Sequence, residues 1–154
     1  MTAFAATRPD ILVFDAAGTP CAVVEVKSNQ AMDERTKQQA AEWLRASGAR
    51  TEYLILVDRD NIRVYRWDGR QLCEPPLQLS TSEVLSFYDH DFPTKKVYER
   101  YLTALVEAWL RDVAYHWKSD QPPALGELTA IGVAQKIRDG STSSTAILRS
   151  SDGG

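Results

Sequence analysis

The chain has 154 residues, 44% of them hydrophobic and 25% charged, which is the composition of one soluble globular domain and argues against two or more independent domains. A chain of this size buries about two-thirds of its unfolded surface and needs no metal or disulfide to hold a core; its two cysteines, Cys21 and Cys73, have no CxxC spacing and no histidine nearby, which excludes a zinc knuckle or dithiol redox motif and points to a reducing cytosol. A net charge of −3 argues against gripping nucleic acid through bulk positive charge, and residues 1–7 carry no basic leader while the longest apolar runs fall short of a membrane span, so the expectation is a cytoplasmic protein with no membrane partner.

Asp10-Ile11-Leu12-Val13-Phe14-Asp15 and Cys21-Ala22-Val23-Val24-Glu25-Val26-Lys27 are apolar, β-branched runs of strand length around a Gly/Pro-bearing turn, the signature of a β-hairpin. Both runs are apolar on both faces, so a further layer should cover each side. Residues 32–48 are acidic at the front, basic near the back and closed by Gly48, which predicts a helix whose buried stripe includes Thr36, Ala40, Trp43 and Leu44. Residues 52–57 and 62–67 flank Asp58-Arg59-Asp60-Asn61, a second hairpin with turn-forming residues at its tip.

After the turn Asp68-Gly69-Arg70, Pro75-Pro76 reads as a break before a helical second half. Ser80, Thr81 and Ser82 offer N-caps to a short helix over 83–88, and Pro93-Thr94 opens a longer helix to about Trp117. Its apolar residues Val97, Tyr98, Tyr101, Leu102, Leu105, Trp109 and Val113 recur with helical spacing; the stripe reads as core or as a self-association face, the latter making a homodimer through the helical half. Pro122-Pro123 precedes a short helix over 127–138, and the Ser/Thr/Gly-rich stretch from Gly140 reads as a tail. The predicted fold class is α/β: a central mixed β-sheet of two hairpins flanked by helices, with a helical carboxy-terminal half. The organisation expected is a core over 1–78, a helical extension over 79–139 packed on the same domain, and a flexible tail over 140–154.

The chemistry rests on Asp10, Glu25 and Lys27. A two-residue turn at Ala17-Gly18 would place residue 10 opposite residue 25, so two carboxylates would meet across a mostly apolar hairpin, a destabilising contact unless a cation neutralises it. Period-two alternation puts Lys27 on the face of Glu25 and turns Val26 into the opposite layer. Two carboxylates and the Val26 backbone carbonyl suit Mg²⁺ or Mn²⁺. Such a site polarises a phosphoryl oxygen and activates a bound water, with the lysine orienting that water or offsetting developing charge; the reaction class is metal-assisted phosphodiester hydrolysis. Taken singly, Asp10 has the plainer reading of a strand-start residue, and Glu25 and Lys27 that of a solvated strand end.

Arg8-Pro9-Asp10-Ile11 followed by Val23-Val24-Glu25-Val26-Lys27 resembles the PD-(D/E)XK nuclease superfamily, the restriction-endonuclease-like fold. The resemblance implies that Asp10 and Glu25 bind the catalytic metal and that Lys27 assists the attacking water. Gln39-Ala40-Ala41-Glu42-Trp43 is similar to the family's Gln-x-x-x-Tyr element, which implies that Gln39 approaches the DNA backbone or active site, with Trp43 where tyrosine is usual. Residues 53–67 resemble the strand pair that follows in the N-terminal nuclease domain of type I restriction R subunits. The resemblance spans residues 8–67 and implies a Mg²⁺-dependent endonuclease acting on DNA in restriction, defence or repair; the alternative is a catalytically inactive nuclease-like module that binds DNA or a partner protein. Family members usually carry a helix before the Pro-Asp strand, and here it is absent, truncated away, or replaced by the helix over 97–117.

Arg59, Arg63, Arg66 and Arg70 give the second hairpin a local positive cluster, with Tyr65 and Trp67 available for stacking on a base. Gln38, Arg59 and Arg63 are the candidate nucleic-acid contacts, although the interleaved Asp58, Asp60 and Asp68 make solvated strand partners the plainer reading. Asp89-His90-Asp91 lies in a loop and reads as surface or capping rather than as a metal cluster.

Overall fold

A computed structural model of the chain describes residues 9–47, 51–94 and 96–144. Residues 1–7, Arg8, Gly48 and the stretch 145–154, all of which entered the expectations above, lie outside the described residues. The described residues form β1 (Ile11–Phe14), β2 (Pro20–Val26), α1 (Glu34–Ser47), β3 (Tyr53–Val57), β4 (Asn61–Trp67), β5 (Leu72–Ser80), α2 (Thr81–Leu85), a 3-10 turn (Phe92–Thr94), α3 (Glu99–Tyr115), α4 (Leu125–Ala130), α5 (Val133–Ile137) and β6 (Ser141–Ser144). Together they make an α/β fold with one open, six-stranded mixed sheet in the order β5-β4-β3-β2-β1-β6. Only β2 and β3 run parallel, because α1 carries the chain back between them; the other neighbours are antiparallel.

Each face of the sheet is covered, as the two-sided apolar runs require. On one face Ile11, Val24, Ile55 and Val64 pack against Leu102, Val106, Trp109 and Leu110 of α3. On the other, Val23, Leu54, Leu56, Tyr65 and Trp67 lie under Ala40, Ala41 and Leu44 of α1. Every residue of β3 is buried. Trp109 is wholly enclosed, and its indole N–H donates to the Pro123 carbonyl at 2.9 Å, so the largest core side chain leaves no unpaired polar atom.

The helix signals hold with shifted ends. Asp33 caps α1 by accepting from the Thr36 N–H at 2.9 Å, and Ser80, of the three hydroxyls offered, caps α2 by accepting from the Glu83 N–H at 3.2 Å. The longer helix begins at Glu99 rather than near Pro93, and Tyr98 and Tyr101 of its stripe are exposed while the rest is core. The expected helix over 127–138 is two, because Gly132 at φ +90° interrupts the run between α4 and α5.

Three sequence expectations are corrected. The turn of the first hairpin is not the two-residue Ala17-Gly18: Asp15 N–H donates to Thr19 O at 2.9 Å, the Asp15 side chain accepts from the Ala17 and Thr19 N–H groups, and Gly18 takes φ +84°. Pro75-Pro76 does not end the sheet. These prolines sit inside β5, an edge strand, where three residues, Glu74, Pro75 and Pro76, bulge opposite the single Tyr65; an edge and a bulge are where a strand tolerates missing N–H donors. Nor is 141–144 tail, since β6 pairs with β1 from Ile11↔Ser144 to Phe14↔Ser141. The entry to β6 demands glycine, because a Cβ at Gly140 would lie 1.9 Å from the Phe14 carbonyl oxygen. Thr142 then donates to buried Glu107 at 2.7 Å and accepts from Arg111 at 2.9 Å, which ties the strand to α3.

Candidate active site

Asp10 enters the ladder one residue before β1, its N–H donating to the Val24 carbonyl at 3.0 Å. The pairing slips between Val13 and Phe14, with Cys21 as the extra residue; beyond the slip the register runs Val13↔Ala22 to Ile11↔Val24, where the ladder ends and Asp10 turns its N–H to the Val24 carbonyl. The strand register itself does not pair residue 10 with residue 25, yet the two carboxyls lie close enough to interact. Alternation puts Glu25 and Lys27 on the α1 side of the sheet, while Val24 and Val26 enter the α3-side core.

Asp10 Oδ2 accepts from the Val26 N–H at 2.8 Å, which aims its carboxyl at the end of β2. Burial first, then the charge of the Asp10 carboxyl and hydrogen bonding to it, push Glu25 up to about 8, Lys27 pulls in the other direction, and Glu99 in the first turn of α3 adds a smaller upward push. The Lys27 N–H donates to the Val57 carbonyl at 2.9 Å, so the lysine leaves the sheet at the open end of the parallel β2–β3 pair.

In an extended strand a residue's N–H and C=O project to the same side, so the Val26 carbonyl faces the Asp10 edge along with its N–H. The donor set thus comprises two carboxylates and one carbonyl, hard oxygens that suit a small divalent cation with water completing its shell. Among the described residues no group of three or more His, Cys, Asp or Glu side chains gathers as a metal cluster, Asp89-His90-Asp91 included.

The remaining candidates disperse. Gln39 is exposed on α1 beside Ala40, and Trp43 is half-buried against the α1-side core. Gln38 donates to Glu34 at 3.0 Å on the solvated face. Arg59 lies 5.5 Å over the Phe92 ring. Arg63 stands on the α1 side and donates to Gln78 at 3.3 Å, whereas Arg66, by alternation, stands on the other face; the four arginines make no single patch. Tyr65 and Trp67 are buried beneath α1, which withdraws both from base stacking.

Two residues that shape this end of the sheet escaped sequence reading. Asp58, 2% exposed, accepts from the Met32 N–H at 2.8 Å through Oδ2 and from the Asp60 and Asn61 N–H groups at 2.8 Å through Oδ1, while its carbonyl accepts from Thr81 Oγ1. It fastens the loop that leads from Lys27 into α1 onto the end of β3. The sequence marked Asp58 as a turn residue, and nothing in it signals the bond across to residue 32. Glu99 is the second, and only the packing of α3 brings it within electrostatic reach of Glu25. Two clefts border the 28–33 loop: one of about 290 Å³ against Asp58, Arg59 and Asp60, and one of about 230 Å³ against Lys37, Leu56, Arg63 and Tyr65.

Comparison with protein-family models, curated proteins and solved structures finds no match to the chain. Among the described residues no helix is long and apolar enough to cross a membrane. The class these observations define is an open-sheet α/β domain with a carboxylate pair and a lysine at one end of its central strands.

Proposed function

We propose that the chain is a nuclease domain of the restriction-endonuclease-like, PD-(D/E)XK kind that hydrolyses phosphodiester bonds of DNA with Mg²⁺ or Mn²⁺ in the cytoplasm. The observation that carries the reading is the meeting of the Asp10 and Glu25 carboxyls at a half-buried strand end. Like charges so placed cost stability unless a proton or a cation lies between them. Asp10, Glu25 and the Val26 carbonyl would hold the cation. When bound, it supplies polarisation of the phosphoryl oxygen and a more acidic water. Lys27, on the same face, orients that water and offsets charge developing on the phosphorane oxygens. Asp58 keeps the Lys27 loop in place. Gln39, exposed on α1, contacts the DNA backbone.

The test is nicking of supercoiled plasmid with Mg²⁺ or Mn²⁺ by the wild type, Asp10→Ala and Lys27→Ala. Cleavage by the wild type that both substitutions abolish supports the reading; cleavage that survives both removes this site.

A second reading has its own support. Phe87, Tyr98, Tyr115 and Trp117 are exposed on the helical half, which favours a catalytically inactive module that binds a partner protein or a second copy of itself. Absence of metal uptake at Asp10 and Glu25 leaves that reading standing.

A further inference from the structure

We propose that the cleft beside the first turn of α1 is a second phosphate subsite, in which Arg63 holds the phosphodiester next to the one at Asp10 and Glu25; this rests on the nuclease reading. The strand register carries the argument. Glu25 pairs with Leu56, Leu56 with Arg63, and Arg63 with Gln78. Side chains at paired positions share a face, so one row crosses four strands: carboxylate, leucine, guanidinium, amide. Adjacent strands lie about 4.8 Å apart, which puts Arg63 roughly 10 Å along the sheet from Glu25. Leu56 between them floors a cleft of about 230 Å³. A water occupies about 30 Å³ of liquid, so the cleft has room for a phosphate group with several waters.

The charges select the residue and the ligand. Lys37, on the opposite wall, is answered by Glu74 at 2.6 Å and Glu34 at 3.4 Å. Arg63 bonds a neutral amide, Gln78, and makes no ion pair with a described residue. A planar guanidinium so placed keeps donor edges for an anionic oxygen. Asp33 and Glu34 on the rim repel a free phosphate dianion more than the singly charged diester of a strand whose next phosphate is held elsewhere. Arg59, drawn over Phe92, and Gln38, bonded to Glu34, stand outside the row.

The experiment is fluorescence anisotropy with a short labelled DNA duplex and its single strand, in Ca²⁺ to hold the complex uncleaved, repeated over a range of KCl. Arg63→Gln should weaken binding several-fold and flatten the slope of log K against log salt by about 0.7 to 0.9, the loss of one phosphate contact. Arg63→Lys should keep the slope, and Arg66→Gln, which removes the same charge from the other face, should change neither quantity. Arg63→Met, which keeps the aliphatic stem, replaces Arg63→Gln if that variant fails to fold. An unchanged slope in Arg63→Gln, or an equal loss in Arg66→Gln, overturns the subsite while leaving the nuclease reading intact; a wild type that binds neither DNA overturns both. Inorganic phosphate that displaces the wild type's DNA as effectively as unlabelled DNA does makes free phosphate the ligand and also overturns the proposal.

Discussion

Asp112 and Glu25 are both carboxylates withdrawn from water, and their surroundings are opposite. Asp112, wholly buried near the end of α3, accepts from the Tyr88 hydroxyl at 2.7 Å and from the Lys118 and Ser119 N–H groups at 2.9 and 3.0 Å. Three donors replace the water it has lost, and burial together with this bond pushes the Tyr88 hydroxyl upward from its ordinary range. Glu25 meets a second carboxyl instead, and burial, with that neighbour adding to it, pushes Glu25 upward. A carboxylate whose lone pairs are filled by donors belongs to the architecture, whereas one set against its own kind is arranged for a proton or a cation.

That contrast can be broken at either site. Glu25→Gln should lower cleavage on the order of 100-fold or more while the fold persists, because it removes one half of the pair and no structural donor. Asp112→Asn should leave cleavage per folded molecule unchanged in the same assay. An equal loss in both variants would erase the distinction.

The next effect in size concerns stability. Asp112→Ala takes the acceptor from the half-buried Tyr88 hydroxyl and from the Lys118 and Ser119 N–H groups and should cost about 2 kcal/mol in denaturant unfolding. A midpoint within error of the wild type would show that the three bonds contribute little.

A smaller effect is expected from pH. Glu25 has an ordinary value of 4.5 in the unfolded chain and about 8 when folded, so across that window the folded chain carries the extra proton. Its stability without metal must then fall as pH rises from 4.5 to 8, the reverse of a salt-bridged carboxylate, and level off above. Thermal melts in EDTA should show Tm declining over this range, and Glu25→Gln should flatten the decline; a wild type whose Tm rises over the same range contradicts the protonated pair.

The smallest expected effect is at Gln39. It is exposed and packs in neither core, so Gln39→Ala should shift stability by less than about 0.5 kcal/mol and lower cleavage by less than about tenfold.

The carboxylate pair was legible in the sequence because register depends on where strands are buried more than on the turn that joins them. Val24 and Val26 must enter the α3-side core, which leaves Glu25 and Lys27 on the other face whatever the turn does, and the bulge at Cys21 absorbs the difference. The central strands and α1 were readable from apolar runs and cap signals for the same reason. β5 and β6 were not, since an edge strand answers to one neighbour and can be built from prolines or serines that carry no strand signature. Asp58 and Glu99 were invisible as contributors because their partners are distant in the chain and are met only through loop closure and helix packing.

The most direct measurement is calorimetric titration of Mn²⁺ into the chain at pH 7, in two buffers of different ionisation enthalpy. The predicted result is a single uptake accompanied by release of close to one proton, the proton displaced from the Asp10–Glu25 pair, with both signals lost in Glu25→Gln. No uptake in the wild type, or an uptake that Glu25→Gln leaves unchanged, would contradict it.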